Sequence, residues 1–184
     1  MKSAKWLVVL GLGVTLARAA STPLVIDYKQ SRVEIAVKAT VDSFTGTLET
    51  YDAGVWVDSE TGEIAKARVA FKFADVKTGK ADRDEAMHEW QETDKHPEGV
   101  FTLATLTRNE AGAMTATGTL ALHGQAEEIA FPVSVTHEGG LYAIDGDAVL
   151  DTQDFGLPVI RKFLLLKVDP QVRVRFHLQG TMAK

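Results

Sequence analysis

Most of this chain alternates apolar and polar residues with a period of two, and this alternation limits its fold more than any other feature. The clearest run has Val69, Phe71 and Phe73 alternating with Ala70 and Lys72. Comparable runs occur at residues 33–39, 51–57, 101–105, 117–122, 129–135, 142–150 and 172–178. Successive side chains of a strand point to opposite faces of the sheet, so each run predicts a strand with one dry face. Seven or eight such strands joined mostly by short turns favour an antiparallel sandwich or barrel.

One stretch near the middle of the chain departs from this period. Met87 and Trp90 stand three residues apart, which is helical spacing. Asp82 is a candidate N-cap, and Glu85, three residues later, would complete a capping box. We therefore predict one short helix over about residues 82–91. A single helix among strands suggests that it plugs or covers something.

The start of the chain has the pattern of a signal peptide, residues 1–19. Two lysines precede an apolar run at 6–17, which is shorter than the ~20 residues that span a bilayer. The sequence Ala17–Ala19 then matches an A-x-A cleavage site. We expect cleavage after Ala19, a folded domain over residues 20–184, and a periplasmic or secreted location.

The net charge of the chain is −5, and removing that segment takes away three basic residues and no acidic one, which brings the charge to −8. Such an acidic protein is a poor candidate for binding nucleic acid. Cysteine is absent from the sequence, which excludes disulfides, thiol catalysis and thiolate metal sites. We expect a monomer or homodimer without a cofactor.

Five groups of residues, in this order along the chain, match the motifs of one known family. They are Phe44–Gly46; Lys77–Gly79 with Arg83, Asp84, Met87, Pro97 and Phe101; Gly118–Gly124 with Ile129, Pro132 and Val133; Leu150–Gly156; and Val172–Gly180. Together they resemble the YceI-like family, and the resemblance covers roughly residues 22–181. It implies an all-β fold, an antiparallel lipocalin-like β-barrel of about eight strands with one short internal helix.

The resemblance also implies that the barrel binds a polyisoprenoid or other long-chain fatty lipid in an apolar tunnel, without catalysis. The candidate ligand-binding residues are Phe44, Phe71, Phe73, Arg83, Met87, Trp90, Phe101, Phe131, Phe155 and Phe163. For each aromatic residue, packing in an ordinary core is the alternative. Arg83 could meet a polar or phosphorylated head group, or it could pair with a strand carboxylate while Asp84 bonds backbone amides.

Two other functions remain open from the residues alone. Asp84 and His88 stand four apart on one helix face, which could serve a periplasmic hydrolase or isomerase. The apolar run 163–166, flanked by Lys162 and Lys167, could make a transient membrane contact or dock on a membrane protein. It could equally be a buried strand.

The histidines do not predict a metal site. The chain has five of them, on different predicted elements and without an H-E-x-x-H pattern: His88, His96, His123, His137 and His177.

Overall fold

The computed structural model describes residues 21–40, 42–162 and 166–183, with the side chains of Lys162 and Leu166 left out. Within those residues the chain forms twelve strands and one α-helix. The strands are β1 (Ser21–Ile26), β2 (Arg32–Ala39), β3 (Phe44–Leu48), β4 (Tyr51–Asp58), β5 (Ile64–Lys72), β6 (Val76–Lys77), β7 (Glu98–Arg108), β8 (Met114–Leu122), β9 (Gln125–Glu138), β10 (Leu141–Asp151), β11 (Arg161–Lys162) and β12 (Leu166–Met182). The helix α1 spans Ala81–Trp90 and follows a 3₁₀ turn at Phe73–Asp75 and the short strand β6.

Eight of the strands close into an antiparallel barrel. Their order is β1-β4-β5-β7-β8-β9-β10-β12, and β12 returns to β1 through pairs such as Ile26 with Gly180. One edge of β12 pairs with β10. The other edge pairs with β1 only at its end, and from Val168 to His177 it pairs with β2, from which β3 and β6 extend the sheet. The predicted eight-stranded antiparallel barrel with one internal helix is confirmed.

The predicted dry faces of the strands point into this barrel. On β2, Val33, Ile35 and Val37 all face the interior cavity. A shift in phase occurs on β7, where the pairing with β8 slips between Leu103 and Thr105. An extra residue in one strand moves the following side chains to the other face. Leu103 and Leu106 therefore both point inward although they are three residues apart.

One end of the barrel is filled by its own side chains. The buried cluster there consists of Leu24, Ala53, Val55, Val57, Tyr142, Ile144 and Leu178. Tyr142 is 0% exposed, and its ring is stacked on that of His137 at a centroid distance of 4.1 Å. We call this cluster the floor. The floor closes the barrel interior at that end, so any ligand must enter from the opposite end.

The helix begins one residue earlier than predicted, and the predicted cap is wrong. Its N-cap is Lys80, which makes no side-chain capping bond. The Asp82 carboxylate accepts only from the neighbouring Arg83 amide at 3.0 Å. The helix is held instead by Asp84, whose Oδ1 accepts hydrogen bonds from the Thr78 amide at 2.7 Å and the Thr78 hydroxyl at 2.6 Å. These bonds tie the first turn of α1 to the chain that leads into it.

Two predicted segments lie outside the described residues: the signal peptide at 1–19 and most of the apolar run 163–166. Among the residues that are described, helices long and apolar enough to cross a membrane are absent.

Candidate functional site

The barrel encloses a cavity of about 830 Å³ between the floor and α1. That volume is near the upper end of the ~300–1,000 Å³ typical of small-molecule sites. Its wall is made almost entirely of Val, Ile, Leu, Ala and Phe side chains from the inward faces of the strands. Many of these side chains are only half-buried, because they border open space and not other side chains. The interior is thus a container rather than a packed core.

Most of the predicted site residues border this cavity. The eight that do are Phe44, Phe71, Phe73, Arg83, Met87, Trp90, Phe101 and Phe131. That they contact a ligand stays a prediction. Phe155 does not line the cavity: it is 2% exposed and lies in the turn after β10. Its carbonyl oxygen is 2.9 Å from Nδ1 of His123. Phe163 lies outside the described residues.

The cavity has many more lining residues than the sequence prediction named, and two examples show why. Phe176 was placed on a strand but not in the site, although its alternation with Arg175 and His177 marks it as inward-facing. The segment Leu157–Arg161 also borders the cavity. It has no periodicity, and no signal in the sequence could have found it.

Three inward-facing phenylalanine rings cover glycines of the neighbouring strand. A Cβ atom added at Gly99 would lie 2.3 Å from Cζ of Phe71, its partner across the β5–β7 pair. The same holds for Phe176 over its partner Gly146 at 2.2 Å. The Phe101 ring also lies over Gly118, at 2.8 Å from an added Cβ, although Gly118 is not its direct cross-strand partner. Since the glycines have no side chain, the rings can lie against the wall. The centre of the cavity stays open as a result.

The end of the cavity opposite the floor is covered by α1 and by Leu157–Arg161, and we call this end the mouth. The face of α1 that carries Ala86, Met87 and Trp90 borders the cavity, as predicted. The indole Nε1 of Trp90 donates a hydrogen bond to the carbonyl of Pro158 at 2.8 Å, which joins the two covering segments. The prediction that the helix covers something is therefore confirmed.

The ionisable residues that border the cavity gather at the mouth. They are the carboxylates Asp42, Asp82 and Asp169 and the guanidinium groups of Arg83 and Arg161. Arg83 is already partnered, because its Nη2 lies 2.9 Å from Oδ2 of Asp42 and its guanidinium sits 4.0 Å above the Phe44 ring. This is the pairing role predicted as the alternative, but the predicted partner is wrong, because Asp42 lies in the loop between β2 and β3 and not on a strand. Lys80 also lies beside Asp42, with its Nζ 3.5 Å from Oδ2. The described residues at the mouth thus provide three carboxylates and three cationic groups, without an excess of positive charge.

The pair proposed for catalysis does not face the cavity. Neither Asp84 nor His88 borders it, and the His88 ring sits edge-on to Phe73 at a centroid distance of 6.5 Å. Burial acts to raise the pKa of the Asp84 carboxyl, but the two hydrogen bonds from Thr78, together with nearby Lys77 and His88, outweigh burial and lower that pKa. An ionised carboxylate with two hydrogen-bond donors has an anchoring role.

Two histidines that were expected to lie apart are neighbours in space. The ring centroids of His96 and His123 are 4.5 Å apart, on the outer side of the barrel next to the turn that follows α1. Glu92 completes a group of three potential ligands at this place. The sequence separation of the two histidines hid this group, since only the folded turns bring them together.

One family model and several known proteins match this chain. The family model described as the YceI-like domain matches residues 24–180. A UPF0312 protein of Pseudomonas syringae pv. tomato is 26% identical over 167 residues, which cover 83% of this chain and 87% of that protein.

Solved structures with the same fold include BcnA of Burkholderia cenocepacia, with a TM-score of 0.73 and 20% identity over 85% of this chain and 99% of BcnA. A polyisoprenoid binding domain from Saccharophagus degradans, implicated in plant cell wall breakdown, has a TM-score of 0.69 and 17% identity over 89% and 100% of the two chains. The YCEI protein of Campylobacter jejuni has a TM-score of 0.66 and 16% identity over 78% and 88%.

Proposed function

Because this chain belongs to the YceI-like family, we propose that it is a binding protein that holds a polyisoprenoid or other long-chain lipid in its barrel. The observation that carries the proposal is the cavity of about 830 Å³ with its almost entirely apolar wall. A sugar or an ion would find few hydrogen-bond partners there, and burying its polar groups unpaired would be costly. A hydrocarbon chain has no polar groups, so it loses no hydrogen bonds to water when it enters the cavity.

Burial of the chain alone can supply the binding free energy. Each methylene group that leaves water contributes about 0.8 kcal/mol. Several isoprene units, or a fatty chain of similar length, therefore bind well without specific polar contacts. The rings of Phe71, Phe101 and Phe176 lie along the wall and offer broad apolar surfaces to such a chain.

The charges at the mouth favour a lipid whose head group is uncharged. Among the described residues there, three carboxylates face two guanidinium groups and the Lys80 ammonium, and both Arg83 and Lys80 already pair with Asp42. A phosphorylated head group would have to displace those pairs and approach the other carboxylates. A hydroxyl or carbonyl head group could hydrogen-bond at the mouth at no such cost. We therefore favour a neutral lipid, such as a free polyprenol, over its phosphate ester.

We propose that the protein acts after export. The support is the N-terminal sequence alone: a charged start, a short apolar run and the cleavage site at Ala17–Ala19. Lipids that cross an aqueous compartment need a carrier that shields the chain from water, and an exported barrel with a closed floor would do so.

The two tryptophans that remain after cleavage provide an internal test of where the lipid binds. Trp90 borders the cavity, whereas Trp56 lies outside it between the buried Val55 and Val57, with Nζ of Lys66 4.6 Å from its ring centroid. A fatty acid brominated along its chain quenches nearby indole fluorescence. We expect strong quenching in Trp56→Phe, where Trp90 emits, and little in Trp90→Phe, where Trp56 emits.

The amount of lipid that co-elutes with each variant on gel filtration is the control, and it should be similar in the two. Equal quenching in both variants, or quenching of Trp56 alone, would place the lipid on the outer surface and contradict the proposal.

A further inference from the structure

Three side chains from separate parts of the chain meet beside the mouth but outside the cavity. Glu92 follows α1, His96 precedes β7, and His123 forms the turn between β8 and β9. One ligand atom from each lies within 4.8 Å of the others. We call these residues the His–Glu cluster. Two imidazoles and one carboxylate are a donor set used by zinc and other divalent transition metals.

The hydrogen bond on the far side of His123 prepares this ring to bind a metal. Its Nδ1 is 2.9 Å from the Phe155 carbonyl oxygen, which can only accept, so Nδ1 carries the proton. In the neutral ring, Nε2 then has a free lone pair. A backbone carbonyl behind the ligating imidazole is the usual support of a metal-binding histidine. Phe155, which does not line the cavity, thus has a role in orienting His123.

The space between His123 and Glu92 suits a cation. Nε2 of His123 and Oε2 of Glu92 are 3.9 Å apart, beyond the ~3.2 Å limit of a hydrogen bond. Ligand atoms of a tetrahedral site with bonds of 2.0–2.1 Å are about 3.3 Å apart, so a small rotation of the exposed Glu92 side chain closes the site. The other carboxylate oxygen, Oε1, is held by Lys95.

Two members of the cluster share an uncommon backbone conformation, which at His123 is also what the two-residue β8–β9 turn requires. Among the described residues, the non-glycine residues with positive φ are Glu92 at 51° and His123 at 50°. Both belong to the His–Glu cluster. This backbone region is uncommon for residues other than glycine, and its use often marks a functional position.

We propose that Glu92, His96 and His123 bind one divalent transition-metal ion, with Zn²⁺ as the best fit and water in the remaining position. The ion would join the end of α1, the start of β7 and the β8–β9 turn. Through His123 it would also fix the Phe155 turn, which continues into the Leu157–Arg161 segment at the mouth. The site is independent of the lipid, because none of its three residues borders the cavity.

The test uses the full exported chain without a histidine tag, stripped of metal with a chelator and titrated with Zn²⁺ or Mg²⁺ by calorimetry. We expect one Zn²⁺ per chain, no Mg²⁺ binding, and a higher melting temperature with Zn²⁺, since a ligand bound only by the folded state stabilises it. Glu92→Gln and His96→Gln should each weaken Zn²⁺ binding at least about tenfold.

The matched control is His177→Gln, because His177 lies on the barrel wall next to Asp145 at 2.8 Å, outside the cluster. Its Zn²⁺ affinity should equal that of the unchanged protein. Glu92 is exposed, so its variant should fold even if the histidine variant does not. Absence of stoichiometric Zn²⁺ binding, or equal affinity in Glu92→Gln and the unchanged protein, would overturn the proposal.

Discussion

Gly99→Ala should weaken lipid binding at least tenfold, and adding Phe71→Ala should restore it. The new Cβ would lie 2.3 Å from Cζ of Phe71, far inside contact distance. The ring must then leave the wall and turn into the cavity, where it takes the space of the lipid. Gly99 lies on β7 without a left-handed φ, so alanine fits its backbone. Removing the Phe71 ring frees that space again.

Lipid retained after gel filtration, with circular dichroism as the check on folding, measures this effect. Phe71→Ala alone is the matched control and should bind lipid, because it enlarges the cavity without blocking it. The double variant separates obstruction by the ring from damage to the β5–β7 pair. Lipid binding by Gly99→Ala equal to that of the unchanged protein, with an intact fold, would show that the ligand does not occupy this part of the cavity.

Tyr142→Ala should lower the free energy of unfolding by about 3–5 kcal/mol, as for other large buried aromatic residues. Tyr142 is 0% exposed and lies in the floor, stacked on His137. Its truncation leaves a void among Leu24, Val55 and Leu178, which the rigid barrel cannot fill. Denaturant midpoints of the two proteins measure the difference. The loss is a large share of the ~5–15 kcal/mol typical of a folded protein.

Two control variants distinguish the loss of packing in Tyr142→Ala from the loss of its hydrogen bond and from the effect of an ordinary surface substitution. Tyr142→Phe keeps the ring and loses only the 3.4 Å hydrogen bond to the Gly62 carbonyl, for an expected cost of about 0.5–1.5 kcal/mol. Val149→Ala, at a position 59% exposed, should stay within about 0.5 kcal/mol. If Tyr142→Ala cost no more than Val149→Ala, the floor would not be the stabilising core described here.

The barrel could be predicted because alternation is a local signal that persists through each strand. Once Val69 and Phe71 are assigned to one face, the burial of that face follows from the need to remove apolar groups from water. The helix was predicted for the same reason, from the spacing of Met87 and Trp90. Its cap was not, because Asp82 and Asp84 are both plausible anchors in sequence. Only the path of the chain before the helix brings Thr78 to Asp84.

The other features that the sequence did not predict lie in turns, where apolar and polar residues do not alternate. Phe155 lies in a turn, where apolar character does not say whether a side chain points into the barrel or packs beneath the loop. The meeting of His96 and His123 depends on how two separate turns are placed by the strands between them. Such contacts are set by tertiary structure, and a single sequence has no pattern that reports them.

The central claim, that one long apolar lipid occupies the barrel, is tested most directly by the intact mass of the purified protein under non-denaturing conditions, before and after organic extraction. We expect a chain that starts at Ala20 and carries the mass of one long-chain lipid, which the extraction removes. The extracted protein should regain one such mass from vesicles that contain a polyprenol or a fatty acid. A bare protein mass at the outset, with no uptake from either kind of vesicle, would contradict the account.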